Sequence, residues 1–333
     1  MTFTNTKGSF WSWEVRKREL AETWPKRDNI GYAAGGGISS TQGSDGITRS
    51  IEKIDFINET ISSSQISLVN LRARGKGGTI AEGSGWFGGG AFTSTSGANP
   101  ATNSIEKINF IAKTTVTSPA TLSIARSSLA ATSGNGFGWF GGGYFNPTSP
   151  GSIFYSTIDR LNFSAETSAV SPARLSNSRN NLAATNGNGF GWFGGGSTPA
   201  SVSTIDRLNF SAETLAVSPA TLSTTRSFLA ATNGNGFGWF GGGFGPSTSS
   251  TIDRLNFSAE TLAVSPAVLP SERWALSATT GNNSGWFAGG ATPSLFASGV
   301  VQKLNFQQES VVQLPQLLNT VRRYPSLVSG GIS

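Results

Sequence analysis

Short apolar runs separated by polar turns fill this chain, with no helical period. In residues 226–266 the run Leu229-Ala-Ala-Thr232 is followed by Phe237 to Gly243, then by Thr251-Ile-Asp-Arg-Leu-Asn-Phe257, then by Leu262-Ala-Val-Ser-Pro266. Runs of this length, bounded by Gly, Asn, Ser and Thr, predict four short strands and leave little room for a helix. The small residues of the first run suit an innermost strand, where several strands crowd around a narrow axis. The aromatics of the second suit the space between neighbouring sheets, and its glycines allow positive φ or a close backbone approach. The proline of the fourth places that run at an outer edge, where one side of the backbone needs no partner.

This four-run unit repeats. The string around RSSLAATSGNGFGWFGGG begins at Arg126 and returns almost unchanged from Arg179 and Arg226. Trp86, Trp139, Trp192, Trp239 and Trp286 each precede a glycine cluster, with spacings 53, 53, 47 and 47. A second landmark, Ile51-Glu-Lys-Ile-Asp-Phe56, reappears at 105–110, 158–163, 205–210, 252–257 and, degraded, at 301–306. Glycine clusters at 35–37, 88–90, 141–143, 194–196, 241–243 and 289–290 keep the same count. A period of about fifty residues made of short strands predicts an all-β, six-bladed β-propeller over 30–333. The first unit starts at its second strand, Ile30 to Gly37, and the last is followed by Arg322 and a short run ending near Gly330. One end has what the other lacks, so residues near 326–332 are expected to supply the innermost strand of the first blade and close the ring.

Composition narrows the chemistry. The chain has no cysteine and no histidine, which removes disulfides, thiolate chemistry and the commonest transition-metal ligand. No metal or cofactor is therefore expected. Only 13% of residues are charged, and the net charge of +6 is dispersed, with Arg160, Arg207 and Arg254 each following an aspartate. That pattern argues against a nucleic-acid surface and for a solvated face of mixed sign. The first residues lack the apolar run of a secretory signal, and no stretch approaches the length of a membrane span, which leads to the expectation of a cytoplasmic protein or one packaged there into a particle.

Motifs that suggest an enzyme fail on context. Gly136-Phe-Gly-Trp-Phe-Gly141 matches a dinucleotide fingerprint, as do 189–194 and 236–241, but such a site needs one copy between a parallel strand and a helix. Asp159, Asp206 and Asp253, with Glu166, Glu213 and Glu260, occupy repeated and hence equivalent environments, whereas acid/base catalysis needs carboxylates whose pKa values separate. They are expected to accept hydrogen bonds at blade turns or to pair with arginines. The series Arg72, Arg126, Arg179, Arg226, Arg273 and Arg322 has two readings: a positive ring at a channel mouth able to hold an anion, or guanidinium groups satisfying carbonyls and carboxylates across blade interfaces. The second is favoured. No catalytic residue is assigned.

The order arginine, small inner strand, aromatic strand ending in Gly-Gly, variable loop, then an Ile-Asp strand followed by Glu-Thr resembles the kelch repeat. It departs in carrying its tryptophan beside the glycines and Ser-Pro-Ala in the outer strand. The near-identical copies with Trp-Phe-Gly-Gly-Gly and Leu-Ala-Ala-Thr are also similar to kelch-like proteins encoded by tailed phages of marine cyanobacteria. That resemblance implies a non-enzymatic structural or host-recognition component of a virion, assembled in a bacterial cytoplasm, whose partners are other virion proteins or a host receptor of protein or glycan. The alternative is a cellular module that binds protein or glycan.

Recognition is expected where the chain departs from its own symmetry. The loop after the glycines has fourteen residues at 91–104 and 144–157 but eight at 197–204 and 244–251. Tyr144, Phe145, Phe154 and Tyr155 in the third blade, and Leu295 and Phe296 in the sixth, are candidate contacts, with packing over the blade edge as the competing role. Residues 1–29 belong to no repeat and hold Phe10, Trp11, Trp13 and Trp24 among basic residues, a candidate assembly arm.

Overall fold

A computed structural model describes residues 29–330 except 39–45, 73–74, 76, 82, 92–100, 147–150 and 295. Among the described residues the chain forms six four-stranded antiparallel sheets and two small hairpins, with no helix. The fifth blade shows the plan: Ala230–Gly234 innermost, then Phe237–Gly241, Thr251–Asn256 and the outer Thr261–Val268. The other inner strands are Gly77–Ala81, Ala130–Gly134, Ala183–Gly187 and Ser277–Gly281, with Ser326–Ser329 serving the first blade. These elements form a six-bladed β-propeller, as the repeat predicts.

The ring closes as the two chain ends require. Ser326–Ser329 pairs antiparallel with Ile30–Gly37, placing Ala33 opposite Leu327. The first blade is therefore built from both ends of the described chain, and no blade is left with three strands.

Blades adhere through aromatic rings. The second-strand tryptophans are almost wholly buried, and each packs on the phenylalanine that follows the third strand of the next blade. Trp139 lies 5.6 Å from Phe210, Trp192 5.6 Å from Phe257, Trp239 5.6 Å from Phe306 and Trp286 4.7 Å from Phe56, centroid to centroid. Each such pair adds about 0.5–1.5 kcal/mol beyond the apolar area it buries. In the first blade Tyr32 takes the tryptophan's place and stacks on Phe110 at 4.3 Å.

The outer strands meet solvent with their edges blunted. Pro119, Pro172, Pro219 and Pro266 sit where the register slips against the third strand, for example between Thr251 and Asp253. A proline within a bulge removes a donor and bends the edge, which discourages pairing with another chain.

Candidate recognition faces

In a four-stranded antiparallel blade, the links between strands one and two and between three and four emerge at one end. The variable loops and the connections between blades emerge at the other. The propeller thus has a turn face, made of Asn-Gly hairpins and the Asn-Phe-Ser-Ala-Glu turns, and a loop face.

The arginine series lies beneath the loop face and is no anion ring. All six guanidinium groups are buried and absent from the channel wall. Arg226 shows the pattern: Nη1 donates to the carbonyls of Gly242 at 3.3 Å and Thr251 at 3.0 Å, and Nη2 to that of Phe240 at 3.1 Å and to Asp253 at 2.6 Å. These partners belong to the blade the arginine leads into, so the expected bridging across blade interfaces is corrected to a link within one blade. The inter-blade step comes from the backbone instead. The Gly196 N–H of the preceding blade donates to the Arg226 carbonyl at 3.0 Å. A Cβ on Gly195 would lie 2.5 Å from that same oxygen, and its φ of +65° is one that L side chains rarely adopt. Here the glycine triplet is a requirement of close backbone approach.

Buried charge is balanced locally. Arg72 pairs with Glu106 at 3.0 Å, Arg126 with Asp159 at 2.8 Å, Arg179 with Asp206 at 3.0 Å, and Arg322 with Glu52. The carboxylates also accept N–H groups from the connections, as Ser223 to Asp253 at 3.0 Å. Burial lowers the pKa of each arginine, and in these five blades the neighbouring carboxylate opposes the shift. In the sixth blade Gln302 replaces the acid, and burial pulls Arg273 down to about 10.

The glutamates form a second, outer set of links. Arg160 pairs with Glu213, Arg207 with Glu260 and Arg254 with Glu309, each joining one blade's third strand to the next blade's turn. Lys107 to Glu166 and Lys303 to Glu59 repeat this at 2.8 and 2.7 Å. The arginines also lie over aromatic rings, Arg207 being 4.7 Å from the Phe190 centroid. Each glutamate adopts φ between 47° and 55°, a left-handed conformation. Asp159, Asp206, Asp253, Glu213 and Glu260 are thus partners of arginine, as expected, whereas Glu166 pairs with a lysine. Among the described residues no group of three or more acidic side chains comes together.

At the loop face, six left-handed residues ring the channel mouth: Gly75, Ser128, Asn181, Phe228, Ala275 and Tyr324, with φ from 43° to 57°. Their backbones are linked head to tail: Asn181 N–H donates to Ser128 O at 2.8 Å, Phe228 to Asn181 at 2.7 Å, Ala275 to Phe228 at 2.8 Å and Tyr324 to Ala275 at 2.7 Å. The ring surrounds a pit of about 120 Å³. Phe228, Trp274 and Tyr324 meet there edge to face, with centroids 5.3, 5.9 and 6.0 Å apart. All three are half-buried. Phe244, 45% exposed, is held beside this group by the Phe244 N–H to Ser227 O bond. On the other side Trp274 Nε1 donates to the Thr292 carbonyl, in the loop that carries Phe296, itself 48% exposed. An aromatic patch therefore runs over the fifth and sixth blades to the point where the chain re-enters the first.

The sequence-derived candidates fall into three groups. Tyr144–Phe145 pairs with Ile153–Phe154 as a hairpin, in which Tyr144 stacks on Phe154 at 6.3 Å. Tyr144, Phe145, Phe154 and Tyr155 are half-buried, with the hairpin tied to Ser127 and Gly143. Phe296 is exposed and adjoins the aromatic patch. Leu295, Phe10, Trp11, Trp13 and Trp24 lie outside the described residues.

No family model and no curated protein sequence matches this chain. Among solved structures, one described as "Structure of YjhT" is similar, with a TM-score of 0.68 over 86% of this chain and 98% of that one at 14% identity. At that identity the likeness carries the propeller fold alone. No helix among the described residues is long and apolar enough to cross a membrane.

Proposed function

We propose that this propeller is a non-enzymatic recognition module, most specifically a kelch-like component of a tailed phage particle, that engages a neighbouring virion protein or a host receptor through its loop face. The observation that carries the reading is the aromatic patch of Phe228, Trp274, Tyr324, Phe244 and Phe296. A partner that binds once needs features that occur once, and at the equivalent positions of other blades stand Ser128, Asn181 and Ala275, or Ser127, Asn180 and Ser227. Half-exposed aromatics at a concave centre are the usual anchors of protein interfaces. The phage assignment is supported by the sequence resemblance, and the non-enzymatic one by the commitment of the buried carboxylates to arginine pairs.

The test uses the chain's own alternatives. Phe228→Asn and Trp274→Ser introduce residues that other blades carry at the same places, so the fold is expected to persist. Loss of one or two anchors at about 2 kcal/mol each is expected to weaken adsorption to host cells, or incorporation into particles, by about thirtyfold or more. Normal adsorption and normal incorporation at unchanged melting temperature would overturn the reading. Tyr144→Ser with Phe145→Ser, made in parallel, separates the patch from the third-blade hairpin.

A further inference from the structure

Three hairpins of the turn face carry an Asn-Gly pair at the tip: Asn135-Gly136, Asn188-Gly189 and Asn235-Gly236. Each tip is a two-residue loop, closed by Gly134 opposite Phe137, Gly187 opposite Phe190 and Gly234 opposite Phe237. Both residues have positive φ, 53° to 54° at asparagine and 80° to 81° at glycine, the conformation such loops require and Asn-Gly meets best. The same pair can also attack itself. Asparagine is a thermally labile residue, and a glycine after it puts no side chain between its own nitrogen and the asparagine Cγ.

All three tips are open. Their six residues are exposed, and a Cβ on Gly136, Gly189 or Gly236 would meet no described atom within 4 Å. The N–H of each of these glycines donates no hydrogen bond among the described residues, so the attacking nitrogen is neither screened nor tied. Two further pairs, Asn186-Gly187 and Asn233-Gly234, differ in both respects. Their glycines belong to paired strands, their asparagines are half-buried, and a Cβ would fall 2.1 Å from the Phe257 ring on Gly187 and 2.2 Å from the Phe306 ring on Gly234.

The next blade sets one tip apart from the others. The Asn135 side-chain amide donates to Ser211 Oγ at 2.8 Å, and that of Asn188 to Ser258 Oγ at 2.9 Å. Bringing Cγ onto the glycine nitrogen gives that bond up. In the sixth blade Gln307 stands where those serines stand, and the Asn235 side chain has no hydrogen bond among the described residues. Residues 183–193 and 230–240 are identical in sequence, so Asn188 and Asn235 differ in their neighbour and not in their own hairpin.

From the open tips, the free glycine N–H and the missing serine, we infer that Asn235-Gly236 is a site of spontaneous deamidation in the folded protein, and the first of the three to convert. The Gly236 nitrogen gives up its proton and bonds to Cγ of Asn235. The bond from Cγ to Nδ2 then breaks, Nδ2 leaves as ammonia with a proton in hand, and a cyclic imide remains. Water opens one of the two imide carbonyls to give aspartate or isoaspartate; no electrons are exchanged and water is the one co-reactant. Each event turns a neutral amide into a carboxylate, so the turn face gains negative charge as the protein ages. The loop-face patch takes no part in it.

Peptide mapping of the full chain during incubation in mildly alkaline buffer tests this, with mass spectrometry that separates asparagine, aspartate and isoaspartate. Asn235 is expected to convert about two- to tenfold faster than Asn135 and Asn188, the factor that one such hydrogen bond supplies. Gln307→Ser is expected to slow Asn235 to the rate of Asn188, and Ser258→Gln to hasten Asn188 to the rate of Asn235, both at unchanged melting temperature. Asn233 is expected to stay intact, which marks conversion in the folded state and not through opening of the blade. The inference is overturned if Asn235 is still asparagine when a free peptide of residues 233–237 has fully converted. Equal rates at Asn235 and Asn188, failure of either substitution to shift its site, or conversion of Asn233 alongside Asn235 also overturns it.

Discussion

The three central blades and the three that flank the closing seam are built to one plan but linked with different strength. At the junctions leaving the third, fourth and fifth blades, a tryptophan stacks on phenylalanine and an arginine pairs with a glutamate of the next blade. At those leaving the second and sixth, lysine replaces that arginine. Between the first and second blades the link is missing: Lys53 stands at the arginine position and Lys113, with φ of 53°, where the glutamate belongs. Tyr32 replaces tryptophan at that junction, and Gly77 and Gly78 replace the paired alanines of the inner strand. Near-identical sequence therefore marks the well-linked half of the ring, and divergence gathers beside the seam. Local opening is expected to begin between the first and second blades.

The largest way to break this comparison is to remove the seam. Deleting residues 322–333 takes away the first blade's inner strand and the Arg322–Glu52 pair. It is expected to lower the melting temperature by more than about 10 °C and to cause concentration-dependent association through the exposed edge, read by calorimetry and light scattering. An unchanged melting curve would show that the first blade stands without it.

A smaller change makes the sixth blade resemble the central ones. Gln302→Glu supplies Arg273 with the carboxylate its counterparts have, and is expected to raise stability by about 1–2 kcal/mol in chemical denaturation at neutral pH. The sign follows from burial pulling Arg273 down to about 10 when folded, below the ordinary guanidinium range. Its charged form costs stability at every pH below about 10, and that cost fades as pH rises from there toward the ordinary guanidinium range. The variant is expected to lose this alkaline gain. Equal stability of the two proteins from pH 7 to 11 would count against it.

The smallest effect sharpens the comparison at its weakest point. Lys113→Glu installs the missing partner for Lys53 and, at this partly exposed site, is expected to contribute about 0.5 kcal/mol that disappears in high salt. Hydrogen exchange in the first and second blades reads it directly: slower exchange there and no change in the fourth is the expected outcome.

Much of this architecture was legible because repetition exposes it. Six copies of one strand pattern revealed the blades, and the mismatched ends at Ile30 and Ser326 revealed the closure. The arginine partners were only half legible. Sequence showed that Arg226 and Asp253 recur together, but whether the guanidinium turns into its own blade or toward its neighbour depends on the backbone path after the outer strand. Of the aromatic patch only Phe296 was found. Phe228, Trp274 and Tyr324 come from three units, and each lies in what reads as an ordinary turn; only ring closure brings the last beside the first. The signal was present in the aligned units, where Ser128, Asn181 and Ala275 make Phe228 and Tyr324 stand out. Attention to loop length favoured 144–157, whose aromatics instead pair within their own hairpin.

Closure by the last strand also sets an order of events during synthesis. Ala33 leaves the ribosome long before its partner Leu327 is made. At about 5–20 residues per second, the strand Ile30–Gly37 waits roughly 15–60 s with one edge open while the other blades fold in turn. Until then the nascent propeller is an incomplete arc, and the step that completes it joins strands almost three hundred residues apart, the kind of pairing that forms slowly. Pairing of Ser326–Ser329 with Ile30–Gly37 is therefore expected to follow the folding of the blades between them.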